Sequence, residues 1–302
     1  GEQPAFAELY ERHVAAARSA ARSYARSRSA ADDLVSEAFA KVLAEVARDV
    51  FVMTSERYTT TSTMIRSGGN LFLVDPAWTV AELESIVAWS AARDLRITGA
   101  FATHAHHDHM LWHPQFGDAP RWTTPRSLQM LGEWRTELEE QLGDDFPAEW
   151  PSPFDGLRPL AAAAIPEPFG AGGAGEAMVT VEHDGHAPGH AALWLGERGV
   201  LLAGDMLSDV ELPLPFFPDD LPAYLDALDR LAAVVAEASV LVPGHGHPTD
   251  RPMERLDADR RYLDDVLAGR EADDWRRSLK GMGEAHGKIV EMATALRTGE
   301  SS

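Results

Sequence analysis

Residues 104–109 read His-Ala-His-His-Asp-His. Neutral imidazole is the commonest protein metal ligand, and a packing role would account for one histidine, not four. A tetrahedral ion takes about four ligands, so this stretch cannot serve one closed site that also keeps a catalytic water. It needs partners from elsewhere in the chain. Three stretches offer them: "DGHAPGH" at 184–190 with His186 and His190, "LLAGDML" at 201–207 with Asp205, and "LVPGHGHPTD" at 241–250 with His245. Each places a donor where a strand ends in a glycine-containing loop, the usual location of sites in α/β sheets.

The elements that must position these donors alternate along the chain. "DVFVMTS" is apolar and β-branched, and "TTTSTMIRSGG" and "NLFLVDPA" read as a meander turning at Gly68–Gly69. "VAELESIVAWSAARD" has helical periodicity, and "RITGAFATH" is a strand that delivers His104 at its carboxyl end. Helical patterns recur near 125–142, 220–237, 253–268 and 271–297; strands are expected at 177–182, 190–195, 199–204 and 239–243. Mixed order of this kind predicts a layered α/β domain.

The motif His104 to His109 resembles the signature of the metallo-β-lactamase superfamily, and the later elements follow that family's order from about residue 49 to 250. "LFLVDPA" with Asp75 is similar to an early strand of the family. The resemblance implies a four-layer αβ/βα sandwich over 49–302 with a dinuclear site at one edge of the sheets. It implies that His104, His106 and His186 hold one metal, that Asp108, His109 and His245 hold another, and that Asp205 bridges them. The family's Pro-Gly-His-Thr-Pro-Gly-His pattern favours His186 over His190, since a ligand sits on the loop rather than inside the next strand. Asp75 is expected to be structural or to bond a ligand histidine; His107, His113, His183 and His247 are expected to stay outside the ligand set. Two zinc ions are the default, and iron or manganese suit the same donors. True β-lactamases of the superfamily usually carry cysteine or serine where Asp205 stands. The aspartate is similar to the general hydrolases, so the expected activity is cleavage of a small-molecule ester, lactone or thioester, with Asp108 as the catalytic carboxylate. Two alternatives are a mononuclear iron oxygenase of the same fold acting on persulfides, and a non-catalytic binding protein.

Residues 111–177 are aromatic-rich and read either as a cap over the site or as an inserted segment buried on the sandwich. Trp112, and Phe216 and Phe217 in the proline-rich stretch after Asp205, are the candidate substrate contacts. C-terminal helices are expected over 253–297.

Composition sets limits. The 302 residues carry a net charge of −21 and no cysteine, which excludes disulfides and thiolate ligands. Such a field repels phosphate backbones, so nucleic acid is not an expected substrate. No apolar run approaches the length of a membrane span, and no Gly-x-Ser-x-Gly elbow is present. A cytoplasmic protein acting on a small molecule, without nucleic acid or membrane and with a possible homo-oligomer, is the expectation.

Residues 1–48 differ from the rest: near neutral in charge, with Phe6, Leu9, Val14 and Ala17, then Leu34, Ala38, Val42 and Val46, at helical spacing. "FAELYERHVAAARSAARSYARSRSAADDLVSEAFAKVL", residues 6–43, resembles the first two helices of region 2 of extracytoplasmic-function sigma factors. In that family the helix contacts RNA polymerase. The promoter-melting and promoter-reading helices do not follow here, so a helical hairpin appended to the hydrolase is expected and polymerase contact through 6–43 is not.

Overall fold

The computed structural model describes residues 43–143, 146–147, 149–166, 177–215 and 219–299. All of the helical hairpin expected over 6–43 except Leu43, and Phe216 and Phe217, lie outside the described residues. The strands are β1 (Ala44–Ala47), β2 (Val50–Thr54), β3 (Thr61–Ser67), β4 (Asn70–Val74), β5 (Arg96–Phe101), β6 (Arg121–Thr123), β7 (Leu157–Pro159), β8 (Met178–His183), β9 (His190–Leu195), β10 (Val200–Gly204) and β11 (Val240–Pro243). The helices are α1 (Val80–Ala91), α2 (Pro125–Leu142), α3 (Leu221–Glu237), α4 (Pro252–Leu267) and α5 (Met282–Thr298).

Strands β1 to β7 form one sheet in sequence order, and a second runs β11-β10-β9-β8. Strands β4 to β7 pair parallel, as do β10 and β11. Side chains alternate across a strand, and here both faces are buried. Phe72 and Val74 of β4 meet Val200 and Leu202 of β10 between the sheets. Leu71 and Leu73 point the other way, into a core shared with Leu83, Ile86 and Trp89 of α1 and Met130, Leu131 and Leu138 of α2. Leu201 and Ala203 likewise pack against Tyr224, Leu228 and Leu231 of α3, Leu256 and Leu263 of α4, and Ile289 of α5. Three parallel cores make four layers, αβ/βα, as expected.

Two expectations need correction, and one left open is decided. Helical spacing ran through Val46, but Ala44–Ala47 is strand β1, paired antiparallel with β2 (Ala44 opposite Val52). Val46 and Ala47 pack against the inter-sheet core. Tertiary pairing overrides the local pattern, and the first sheet begins before residue 48. Of the two readings of 111–177, the described residues follow the buried insertion: β6 and β7 extend the first sheet, and Phe116 and Phe154 are buried with α2 in its outer core. The last helix starts at Met282 rather than 271, because Trp275–Ser278 is a short 3-10 turn capped by Asp274.

That turn sends Arg276 inward. Its side chain is 3% exposed and pairs with Asp259 at 2.7 Å and Asp274 at 2.8 Å. Burial works against the charged guanidinium, but the two carboxylates outweigh it. Removing one partner of a buried pair leaves an uncompensated charge. Arg276→Met should therefore lower the unfolding free energy by about 3–5 kcal/mol, read from urea denaturation. A loss below about 1 kcal/mol, the value of a surface pair, would contradict this role.

Candidate metal centre

Strands β4, β5, β10 and β11 end on the same side of the molecule. Just past their carboxyl ends stand Asp75, His104–His109, Asp205 and His245, and the β8–β9 hairpin turn supplies His186. Two groups of donors converge there: His104, His106, His186 and Asp205, and Asp108, His109 and His245. These are the seven residues expected from sequence. All are buried except His106, which is half-buried.

The outer nitrogens of four imidazoles are fixed by acceptors. His186 Nδ1 donates to the Leu214 carbonyl and His245 Nδ1 to the Tyr58 carbonyl, each at 2.9 Å. His109 Nδ1 donates to Asp75 Oδ2 at 3.0 Å. His104 Nδ1 donates to Thr103 Oγ1 at 2.9 Å, and that hydroxyl donates onward to Asp75 at 2.7 Å. A proton on Nδ1 leaves the inward Nε2 as a lone pair. His106 turns its Nδ1 inward, 2.9 Å from His104 Nε2 and 3.1 Å from His186 Nε2. His109 Nε2 and His245 Nε2 lie 3.3 Å apart. Ligands held 2.0–2.1 Å from a tetrahedral ion stand roughly 3.3–3.4 Å from one another, so these separations fit shared cations.

Asp205 touches both groups. Its Oδ2 is 3.5 Å from His104 Nε2, 3.4 Å from His186 Nε2 and 3.3 Å from His245 Nε2, while Oδ1 is 3.2 Å from His109 Nε2. Oδ1 is buried without a well-directed hydrogen bond, so positive charge must stabilise it. The electrostatics of the cluster point the same way. Burial opposes protonation of His109, yet Asp205, Asp108 and Asp75 raise it well above the usual histidine range. His245 is raised likewise against burial, by Asp205 and Glu211. Asp108 is pushed up by burial but held well below the usual carboxylate range by His109 and His245, so it is a carboxylate at neutral pH. Burial lowers His186 to about 4 and puts His106 well below its ordinary value, leaving both neutral.

The surroundings serve this geometry. Asp75 adopts a left-handed turn (φ 49°) that aims its carboxylate at the Thr103 amide, the Thr103 hydroxyl and His109. Thr79 and Glu82 form a capping box at α1. Glu82 also accepts from Ser55 Oγ and the Glu56 amide, fixing the loop whose Tyr58 carbonyl orients His245. A methyl on Gly244 would collide with Asp205 Oδ1.

The remaining described histidines lie outside both groups. His190 Nε2 accepts the Asp205 amide at 3.0 Å and its Nδ1 meets His183 Nε2 at 3.1 Å. His113 accepts the Gln115 amide and His247 pairs with Asp209. His107 packs edge-on to Trp78. Trp112, expected as a substrate contact, has packing partners: its indole donates to the Gly117 carbonyl, its ring lies 4.6 Å from the Arg121 guanidinium, and it packs against the first sheet's outer core. Sequence reasoning missed Thr103, which adjoins the motif and was visible there, and the Tyr58 and Leu214 carbonyls, which no side-chain pattern could reveal.

The fold and this cluster are those of the metallo-β-lactamase class. The model of the Metallo-beta-lactamase superfamily matches residues 56–245, and the chain belongs to that superfamily. Sigma-70 region 2 matches residues 9–49, whose last residues fall within the first sheet. A metallo-beta-lactamase family protein from Thermus thermophilus is similar at 23% identity and TM-score 0.56, covering 83% of this chain and 94% of that one. A beta-lactamase domain protein from Burkholderia ambifaria is 20% identical with TM-score 0.57, covering 85% and 90%. TTHA1623 in a di-iron-bound form is 24% identical with TM-score 0.51, covering 68% and 96%. Superfamily and clusters together support a metal-dependent hydrolase type of function. Among the described residues no helix is long and apolar enough to cross a membrane.

The pH dependence of chelator-stripped protein follows from the shifts. His109 and His245 are raised, so their contribution is complete below the unfolded value of about 6.5 and is lost as pH climbs through their folded values. His106 and His186 are lowered, so theirs is present above about 6.5 and lost as pH falls. The melting temperature should peak near pH 6.5–7 and decline on both sides. A steady rise to pH 9 would contradict these assignments.

Proposed function

We propose that the chain is a dinuclear metallo-hydrolase that cleaves a small-molecule ester, lactone or thioester. His104, His106 and His186 would hold one divalent ion, Asp108, His109 and His245 a second, and Asp205 both. The supporting observation is Asp205, whose two oxygens reach one group each and, through Oδ2, His245 as well. The donors are nitrogen and oxygen only, which suits zinc, iron or manganese. Two such ions would supply an acidified water and a Lewis acid for the substrate carbonyl.

The chain's own residues do the rest. Asp75 keeps His104, through Thr103, and His109 in the tautomer that turns Nε2 inward. Asp108, ionised and buried beside His109 and His245, accepts a hydrogen bond from the attacking water and takes its proton as the leaving group departs. The surrounding apolar layers exclude bulk water. The mononuclear oxygenase reading would leave Asp108, His109 and His245 without a purpose, so the second complete group favours hydrolysis. An aspartate at 205 argues against β-lactams, and the net charge of −21 argues against nucleic acid.

Metal-loaded protein should turn over at least one of a lactone, a thioester and an aryl ester, and leave a phosphodiester untouched. On whichever carbonyl substrate responds, Asp205→Ala should cut kcat by about 10²-fold or more and shift the pH–rate profile upward, since the water loses one of its two ions. Turnover of the phosphodiester alone, or Asp205→Ala with full activity at the same pH optimum, would overturn the reading. His186→Ala should lose activity more completely than His190→Ala, because His190 contacts only the amide of Asp205 in that residue.

A further inference from the structure

His183 and His190 face each other across the β8–β9 hairpin whose turn carries His186. Both are buried. The His190 ring stacks on His104, with centroids 4.8 Å apart, and on His183, with centroids 4.5 Å apart. Its edge reaches a different loop, where Nε2 accepts the Asp205 amide at 3.0 Å. His190 thus touches one member of the first donor group with its face and another with its edge. Gly204, left-handed at φ 55°, permits the approach, because a Cβ there would collide with the His190 ring.

The bond to Asp205 fixes where the protons sit. Burial without a paired carboxylate among the described residues keeps both imidazoles neutral, so the pair carries two protons. His183 Nε2 and His190 Nδ1 lie 3.1 Å apart and share one of them. Backbone amides approach both outer nitrogens: Asp205 at His190 Nε2, and Gly185 at His183 Nδ1, 3.2 Å away. The second proton must occupy one outer nitrogen, so one amide bond yields. The Asp205 bond is the shorter, which assigns a proton to Nδ1 of each ring. His190 then donates to His183 and keeps its Nε2 lone pair for the Asp205 amide. A lone pair spent in this way is not offered to an ion, which is why His190 stands outside the donor groups although it adjoins them.

We propose that His190, held in this tautomer by His183, is a positioning residue that fixes the backbone of Asp205 so that its carboxylate reaches both donor groups. This rests on the reading of those groups as metal sites. Gly244 lies close against the carboxylate and His190 holds the amide, so Asp205 is gripped at both ends.

The test compares the full chain with two variants. His190→Gln keeps a carbonyl that can accept the Asp205 amide; His190→Leu fills the space without an acceptor. Each is chelator-stripped, its melting temperature is recorded, and its zinc affinity is measured by competition with a chromophoric chelator. His190→Leu should bind zinc about 10–100-fold more weakly than wild type, and His190→Gln should stay within about threefold. Without metal, exchange of the Asp205 amide proton should quicken about tenfold in His190→Leu and stay near wild type in His190→Gln. Imidazole nitrogen NMR of the stripped wild type should show His190 protonated at Nδ1 alone. Wild-type affinity in His190→Leu, equal losses in both variants, or a proton on His190 Nε2 would overturn the proposal. Should His190→Leu fail to fold, the affinity of His190→Gln and the imidazole spectrum decide. If the metal reading alone is wrong, wild type takes up no zinc, while the exchange pattern and the tautomer stand.

Discussion

Four imidazoles give their outer protons to Asp75, Thr103, Tyr58 and Leu214, and that constraint governs the rest of the molecule. Once those bonds are made, the inner nitrogens are lone pairs facing one another at about 3 Å, beside the carboxylates of Asp108 and Asp205. Such a collection is repulsive and poorly solvated in a buried setting. Cations resolve it. Protons on His109 and His245 do so partially, and bound divalent ions would do so further.

The fold meets this constraint with strand ends. Parallel pairs β4–β5 and β10–β11 bring Asp75 beside the histidine motif and Asp205 beside His245, one pair from each sheet. Because both faces of each sheet are buried, the register cannot slip by one residue without turning an apolar side chain out of its core. The positions of the donors are therefore inherited from the packing of Leu71 to Val74 and Val200 to Leu202. Close backbone approach does the rest at Gly244, which has no room for a side chain next to Asp205.

Much of this was legible in the sequence. The donors sit in short motifs with unusual composition, and strands ending in Gly-Asp or Pro-Gly-His announce where the chain turns. The buried strands read as apolar runs, and their two-sided burial is why the layered fold could be inferred. What could not be read were short edge strands and backbone roles. Strand β1 hid inside a helical repeat, and β6 and β7 are three residues each, too short to carry a period. The aromatic residues of 111–177 left two readings open, a cap or a buried insertion, and no period in so irregular a stretch could decide between them; Phe116 and Phe154 belong to the core and Trp112 packs against Arg121.

The most direct measurement is anomalous X-ray scattering from crystals of the purified chain, collected at the absorption edges of zinc, iron and manganese. Two peaks are expected per chain, one bounded by His104, His106 and His186 and the other by Asp108, His109 and His245, both in contact with Asp205. A single peak, or none in protein supplied with these metals, would contradict the claim that the inward-facing donors are built to hold two ions.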